Sequence, residues 1–156
     1  MKDDLYKTIE RFEPQMVSLL SGLIGIPAIS PLGGGAGEYR KAAYIAESLE
    51  KMGFGKPEVY NAADPAAEEG VRPNLIFRIP GKTSRRLWIV SHIDVVPEGD
   101  RGLWDTDPFK AVVRDRRIYG RGSNDNCQEL VSSLYAVAAL KELKLTPEFE
   151  VCLCFV

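Results

Sequence analysis

The sequence predicts an α/β fold, three layers deep, with helices packed on a mixed sheet. Two apolar runs predict the sheet. Residues 87–90 (Leu-Trp-Ile-Val) and 149–156 have strand length and almost no polar interruption, as expected of strands covered on both faces. Three stretches with apolar residues at helical spacing, 4–23, 38–52 and 127–143, predict the layers around it. At 156 residues the chain fits one ordinary domain and not two full ones.

The elements follow in order. Residues 4–23 place Leu5, Ile9, Phe12, Met16, Leu19, Leu20 and Leu23 on one helical stripe. Pro14 inside it splits or kinks the helix, and Gly25-Ile26-Pro27 closes it. Residues 31–37 hold four glycines and read as a flexible loop; no strand leads in and no Lys-Ser/Thr pair follows, which argues against a phosphate cradle. The helix over 38–52 would bury Tyr39, Ala42, Ala43, Ala46 and Leu49 and end at Gly53. Short strands are expected over 57–61 and 74–79, separated by an acidic loop over 62–71, and a basic turn covers 81–86. The strand over 87–96 turns polar at Ser91-His92-Ile93-Asp94. A loop over 97–109 leads to an edge strand or hairpin over 112–119 and a tight loop over 120–126. The helix over 127–143 would bury Leu130, Leu134, Val137, Ala138 and Leu143. The last strand, 149–156, has the composition of a central one, so the chain reads as the N-terminal piece of something longer.

Composition excludes several functions. There are 20 Lys+Arg against 22 Asp+Glu, so the basic excess of a nucleic-acid reader is missing. No run of apolar residues is long enough to span a membrane, and the Met1-Lys2-Asp3-Asp4 start is unlike a secretory signal, so a cytoplasmic location is expected. Three Cys is an odd count for a disulfide framework. With one His, no mechanism needing two histidines is available within these residues.

Two segments bear candidate chemistry. In His92-x-Asp94 both side chains point to one side of an extended chain. The imidazole can bind a divalent metal while the carboxylate accepts its other N–H and fixes the tautomer. The same pair also suits a purely structural histidine. Asp125 stands between a two-glycine loop and a helix. It suits a helix N-cap, and the same helix terminus favours the ionised carboxylate that a metal needs.

Taken in order, three segments resemble the M20 family of co-catalytic zinc hydrolases, which includes succinyl-diaminopimelate desuccinylases, acetylornithine deacetylases, aminoacylases and glutamate-releasing carboxypeptidases. They are Ser91-His92-Ile93-Asp94-Val95-Val96-Pro97, Trp104-Asp105-Thr106-Asp107-Pro108-Phe109 and Ile118-Tyr119-Gly120-Arg121-Gly122-Ser123-Asn124-Asp125-Asn126. The resemblance runs from the first helix to the final strand. It implies that residues 1–156 are the N-terminal part of a metallohydrolase catalytic domain, without its remainder or its lid and dimerisation domain. It implies that His92 binds a zinc ion, that Asp125 bridges two, that Asp94 holds His92 and tunes the site, and that the Asp125–Asn126 peptide is cis. Zn2+ is the implied cofactor, with Co2+ or Mn2+ as substitutes. The implied substrate is an N-acyl amino acid or short peptide, and the complete protein is implied to form a homodimer. The run Asn126-Cys127-Gln128 departs from the commoner Lys-Gly continuation, so no one named enzyme is singled out. The family's general-base Glu, its remaining acidic ligands and its distal His lie outside the chain. Glu68-Glu69 precedes the His-x-Asp strand and reads as a solvated loop. The isolated chain is therefore expected to bind metal weakly and not to hydrolyse.

Three rivals remain. One is a truncated, non-catalytic binding or assembly module with the same fold. The second is a nucleotide-binding domain using residues 33–37, and the third a redox protein using Cys152 and Cys154.

Overall fold

A computed structural model describes residues 2–156. Four helices and six strands succeed one another as α1 (Lys2–Arg11), α2 (Glu13–Ile24), α3 (Tyr39–Lys51), β1 (Glu58–Ala63), β2 (Val71–Ile79), β3 (Arg86–Ser91), β4 (Val112–Arg114), β5 (Arg117–Tyr119), α4 (Cys127–Glu142) and β6 (Glu150–Phe155). The long N-terminal helix breaks at Phe12, and Pro14 falls in the first turn of the second segment, where its missing N–H costs no helical bond.

The main sheet has the order β1-β2-β6-β3. β1 pairs antiparallel with β2, β2 antiparallel with β6, and β3 parallel with β6, so the sheet is mixed as expected. β6 lies inside it, which explains its apolar composition. Pro73 sits within β2 where that strand pairs only with β1, because β6 joins from Leu75 onward. Its missing donor therefore leaves no gap against β6. β4 and β5 form a two-residue hairpin turning at Asp115 and Arg116, both at positive φ, as a tight twisted hairpin requires.

One face of the sheet carries Leu75, Phe77, Leu153 and Phe155, all buried against Leu23, Ile45, Leu130 and Leu134 of the helices. The register places Ile76, Arg78, Trp88, Val90, Cys152 and Cys154 on the other face. There Trp88 is 44% and Val90 57% exposed, so the reading of β3 as covered on both faces is corrected. Apolar runs alone do not distinguish a strand covered by this chain from one whose second face stays open. An apolar-surface dye is expected to fluoresce on binding this chain, and to do so less with Val90→Lys. A dark dye would contradict the open face.

The face of α3 needs adjustment. It buries Lys41, Ala42, Ile45 and Leu49, while Tyr39 and Ala43, expected inside, are exposed. Among the described residues no helix is long and apolar enough to cross a membrane.

Candidate metal centre

The site forms where β3 ends and α4 begins, at the carboxyl end of a strand in a parallel pair. β3 stops at Ser91, yet alternation continues beyond it. Ile93 and Val95 are buried, and His92 and Asp94 face the other way. The segment is held extended by Ile93 N–H donating to Val156 O (2.7 Å) and Val95 N–H donating to Ala28 O (2.9 Å).

The loop before α4 packs directly on this segment. Gly122 has φ +81°, and a Cβ there would stand 2.7 Å from Val95 Cγ1. Only glycine combines that conformation with that approach. The loop thereby brings Asp125 to His92, with Asp125–Asn126 cis, as the resemblance implies.

The three sequence-predicted residues meet. His92 Nδ1 lies 2.9 Å from Asp94 Oδ1, and His92 Nε2 lies 2.8 Å from Asp125 Oδ1. Asp125 makes no cap bond to α4, whose N-cap is Asn126, and its side chain is 83% exposed. The capping alternative is thereby removed, and the carboxylate serves the imidazole. Burial works against the charged imidazole, but the hydrogen bonds to Asp125 and Asp94 prevail and raise its pKa above the ordinary value.

The donor set suits a divalent cation on one side. With Nδ1–H held by Asp94, loss of the Nε2 proton would free a lone pair beside Asp125, so that a nitrogen and a carboxylate oxygen would converge on one point. Among the described residues no group of three or more His, Cys, Asp or Glu gathers to hold a metal. His92 and Asp125 are therefore a pair of candidate ligands, fewer than the usual three or four protein ligands of zinc.

Other candidates fall elsewhere. Glu68 pairs with Arg40 at 2.8 Å and does not line the cavity that holds His92. Gly35 of the glycine-rich loop backs onto the chain itself, since a Cβ there would meet Ile29 O at 2.1 Å, so the glycine serves close packing. Cys154 is half-buried and its thiol is pushed up by burial, the opposite of a reactive thiol. Arg121 stacks on Trp104 at 5.2 Å.

Two features escaped sequence reasoning. Glu38, 3% exposed, accepts from Arg72 Nε at 2.9 Å, and the pair walls a cavity shared with His92 and Asp94. Lys41, 1% exposed, has its ammonium 4.0 Å from Cys127 Sγ behind the loop that carries Asp125. An acid or a lysine in a helical stripe reads as solvated, and only contact with a distant element shows otherwise.

Residues 88–156, which include His92, Asp94 and Asp125, match the model of peptidase family M20/M25/M40. The chain is 40% identical over 163 residues to an uncharacterized metallohydrolase of Methanococcus maripaludis, covering 100% of this chain and 37% of that protein. It is 33% identical over 140 residues to a succinyl-diaminopimelate desuccinylase of Rickettsia canadensis, covering 89% of this chain and 34% of that one. Among solved structures it superposes on a di-peptidase of Saccharomyces cerevisiae with TM-score 0.82 at 26% identity, covering 98% of this chain and 34% of the other. It superposes on an M20 family metallo-carboxypeptidase of Sulfolobus solfataricus with TM-score 0.66 at 28% identity, covering 99% and 30%. The chain spans about a third of the length of these proteins. By the matched residues and by these relatives, the chain belongs to peptidase family M20/M25/M40.

Proposed function

We propose that the chain is the N-terminal, metal-binding part of a hydrolase of amide or peptide bonds, acting on N-acyl amino acids or short peptides. The observation that carries this reading is the His92 imidazole held between two carboxylates, with Asp94 on Nδ1 and Asp125 on Nε2. The relatives' names, a desuccinylase and a di-peptidase, support the substrate class. In this reading His92 and Asp125 would hold zinc, and Asp94 would be the carboxylate that positions His92. Bound metal would supply a water of lowered pKa and polarise the scissile carbonyl. The chain's own work is orientation. Asp94 keeps the proton on Nδ1, and the Gly122 approach fixes the distance between the two ligands. The proton-transferring base and the remaining ligands come from outside residues 1–156, as does any dimer contact. Three free cysteines suit a cytoplasmic setting.

Two assays test this. The 156-residue chain, given Zn2+ and an N-succinyl amino acid or a dipeptide, is expected to release no amine. A protein of the relatives' length carrying this chain is expected to turn over one of these substrates. Asp125→Ala in that protein should reduce turnover by at least about a hundredfold, since even outer contacts of metal ligands cost about 10–100-fold. Turnover by the short chain would overturn the division of the site. No turnover by the longer protein would leave the non-catalytic module standing.

A further inference from the structure

A second cavity, of about 420 Å³, opens among the α1–α2 break, the turn after α3 and the far half of α4. None of these elements carries His92, Asp94 or Asp125. Tyr135 and Lys141 lie 8 and 14 residues along α4 from Cys127, which puts the cavity about 12–21 Å down the helix from the end beside Asp125. The volume is that of a small-molecule site.

The walls are aromatic. Phe12 and Tyr135 meet with ring centres 5.4 Å apart and planes tilted by 57°, and Phe54 and Met52 also line the cavity. Three rings and a thioether give it a polarizable lining. The rim is charged and unbalanced. Arg11 pairs with Glu142. Lys141 donates to Met52 O at 3.3 Å and to Gly53 O, and its ammonium stands 4.7 Å over the Phe54 ring. Of these, Lys141 and Glu142 line the cavity, and because Glu142 is paired with Arg11, Lys141 is, among the described residues, the lining charge with no opposite charge paired to it.

A separate observation points to a ligand. Tyr135 is 6% exposed, yet among the described residues its hydroxyl meets no donor or acceptor. That hydroxyl is not among the sealed polar atoms, which are Ser91 Oγ, Arg121 Nε and Asn126 Oδ1. Its remaining exposure therefore includes the oxygen. Burial also pushes this phenol upward, which keeps it a neutral donor. Tyr135 lines the cavity, and an accessible hydroxyl can exchange its water for an incoming polar group.

We propose that this cavity binds a small aromatic carboxylate, with its ring between Phe12, Phe54 and Tyr135 and its carboxylate at the Lys141 ammonium. The site is independent of the hydrolase reading. It would let an aromatic acid bind the protein without occupying the metal centre.

Phenylacetate is the probe, titrated into the 156-residue chain and followed by NMR shifts of the aromatic side chains. For a ligand of its size a saturable Kd on the order of 1 mM is expected. Shifts should be confined to Phe12, Phe54 and Tyr135. Ala138→Trp, which fills the cavity, should abolish them. Lys141→Met should weaken phenylacetate roughly fivefold and leave benzyl alcohol unchanged, the range of a partly exposed ion pair. The Lys141 arm stands even if the tryptophan variant folds poorly. Three results would overturn the proposal: no shifts up to about 20 mM, twenty times the expected Kd; shifts that survive in a folded Ala138→Trp; or benzyl alcohol binding as tightly as phenylacetate.

Discussion

Phe155→Ala is expected to lower the unfolding free energy of the chain by about 3–5 kcal/mol, the usual loss for a buried phenylalanine. Phe155 is fully buried on β6, with its ring 6.1 Å from that of Phe77. It pairs with Leu75 on one side and Ser91 on the other, so its strand position joins both halves of the sheet. The next residue ties the site to this core, because Val156 N–H donates to Ser91 O and Val156 O accepts from Ile93 N–H. Folded domains have only about 5–15 kcal/mol in total, and a sheet with one bare face belongs at the lower end. The variant should therefore unfold at a much lower urea concentration, read by circular dichroism with an unchanged slope. Val90→Ala, on the open face at 57% exposure, should stay within about 0.5 kcal/mol. A Phe155→Ala loss below about 1 kcal/mol would mean that β6 is not the centre of the core.

Lys41→Met is expected to stabilise the chain near neutral pH by about 1–3 kcal/mol, against the general trend of core substitutions. Lys41 is among the fully buried side chains, and among the described residues the one side-chain partner of its ammonium within bonding range is Cys127 Sγ at 4.0 Å. Desolvation lowers its pKa below the ordinary 10.5, with Cys127, Asp94 and Glu38 pulling the other way. The sign follows from linkage. In the unfolded chain the lysine keeps its ordinary value, so between the folded and unfolded values the unfolded state binds more protons, and stability of the native chain rises with pH. The burden of Lys41 is therefore full below its folded value and gone above about 10.5. The advantage of Lys41→Met should shrink as pH rises through that window. A destabilised variant, or an advantage that does not change with pH, would show that the ammonium is better satisfied than its contacts indicate.

These residues also show what the sequence reveals. His92, Asp94 and Asp125 are legible because their types are rare or costly where they stand, at the polar end of an apolar strand and beside paired glycines. The fold brings the three side chains together. Whether Asp125 caps α4 or faces His92 is not legible, since both roles need the same residue at the same place, and only the fold decides. The break before Pro14 and the hairpin over 112–119 follow from local backbone chemistry and emerge as expected. The buried face of α3 does not. Its apolar pattern admits two rotations, and contact with Cys127 on α4 selects the one that buries Lys41. The open sheet face is likewise invisible in composition, because an apolar strand reads the same whether or not something covers it.

The central claim is that His92 Nε2 and Asp125 hold a divalent metal while Asp94 keeps the proton on Nδ1. With one histidine in the chain, a long-range 1H–15N NMR spectrum shows one imidazole without ambiguity. Titrating Zn2+ into the untagged chain should shift Nε2 to a metal-bound position and leave Nδ1 protonated. Asp125→Ala should weaken that titration by about tenfold or more. An imidazole that stays unchanged at millimolar zinc, or one that binds zinc through Nδ1, would contradict the account.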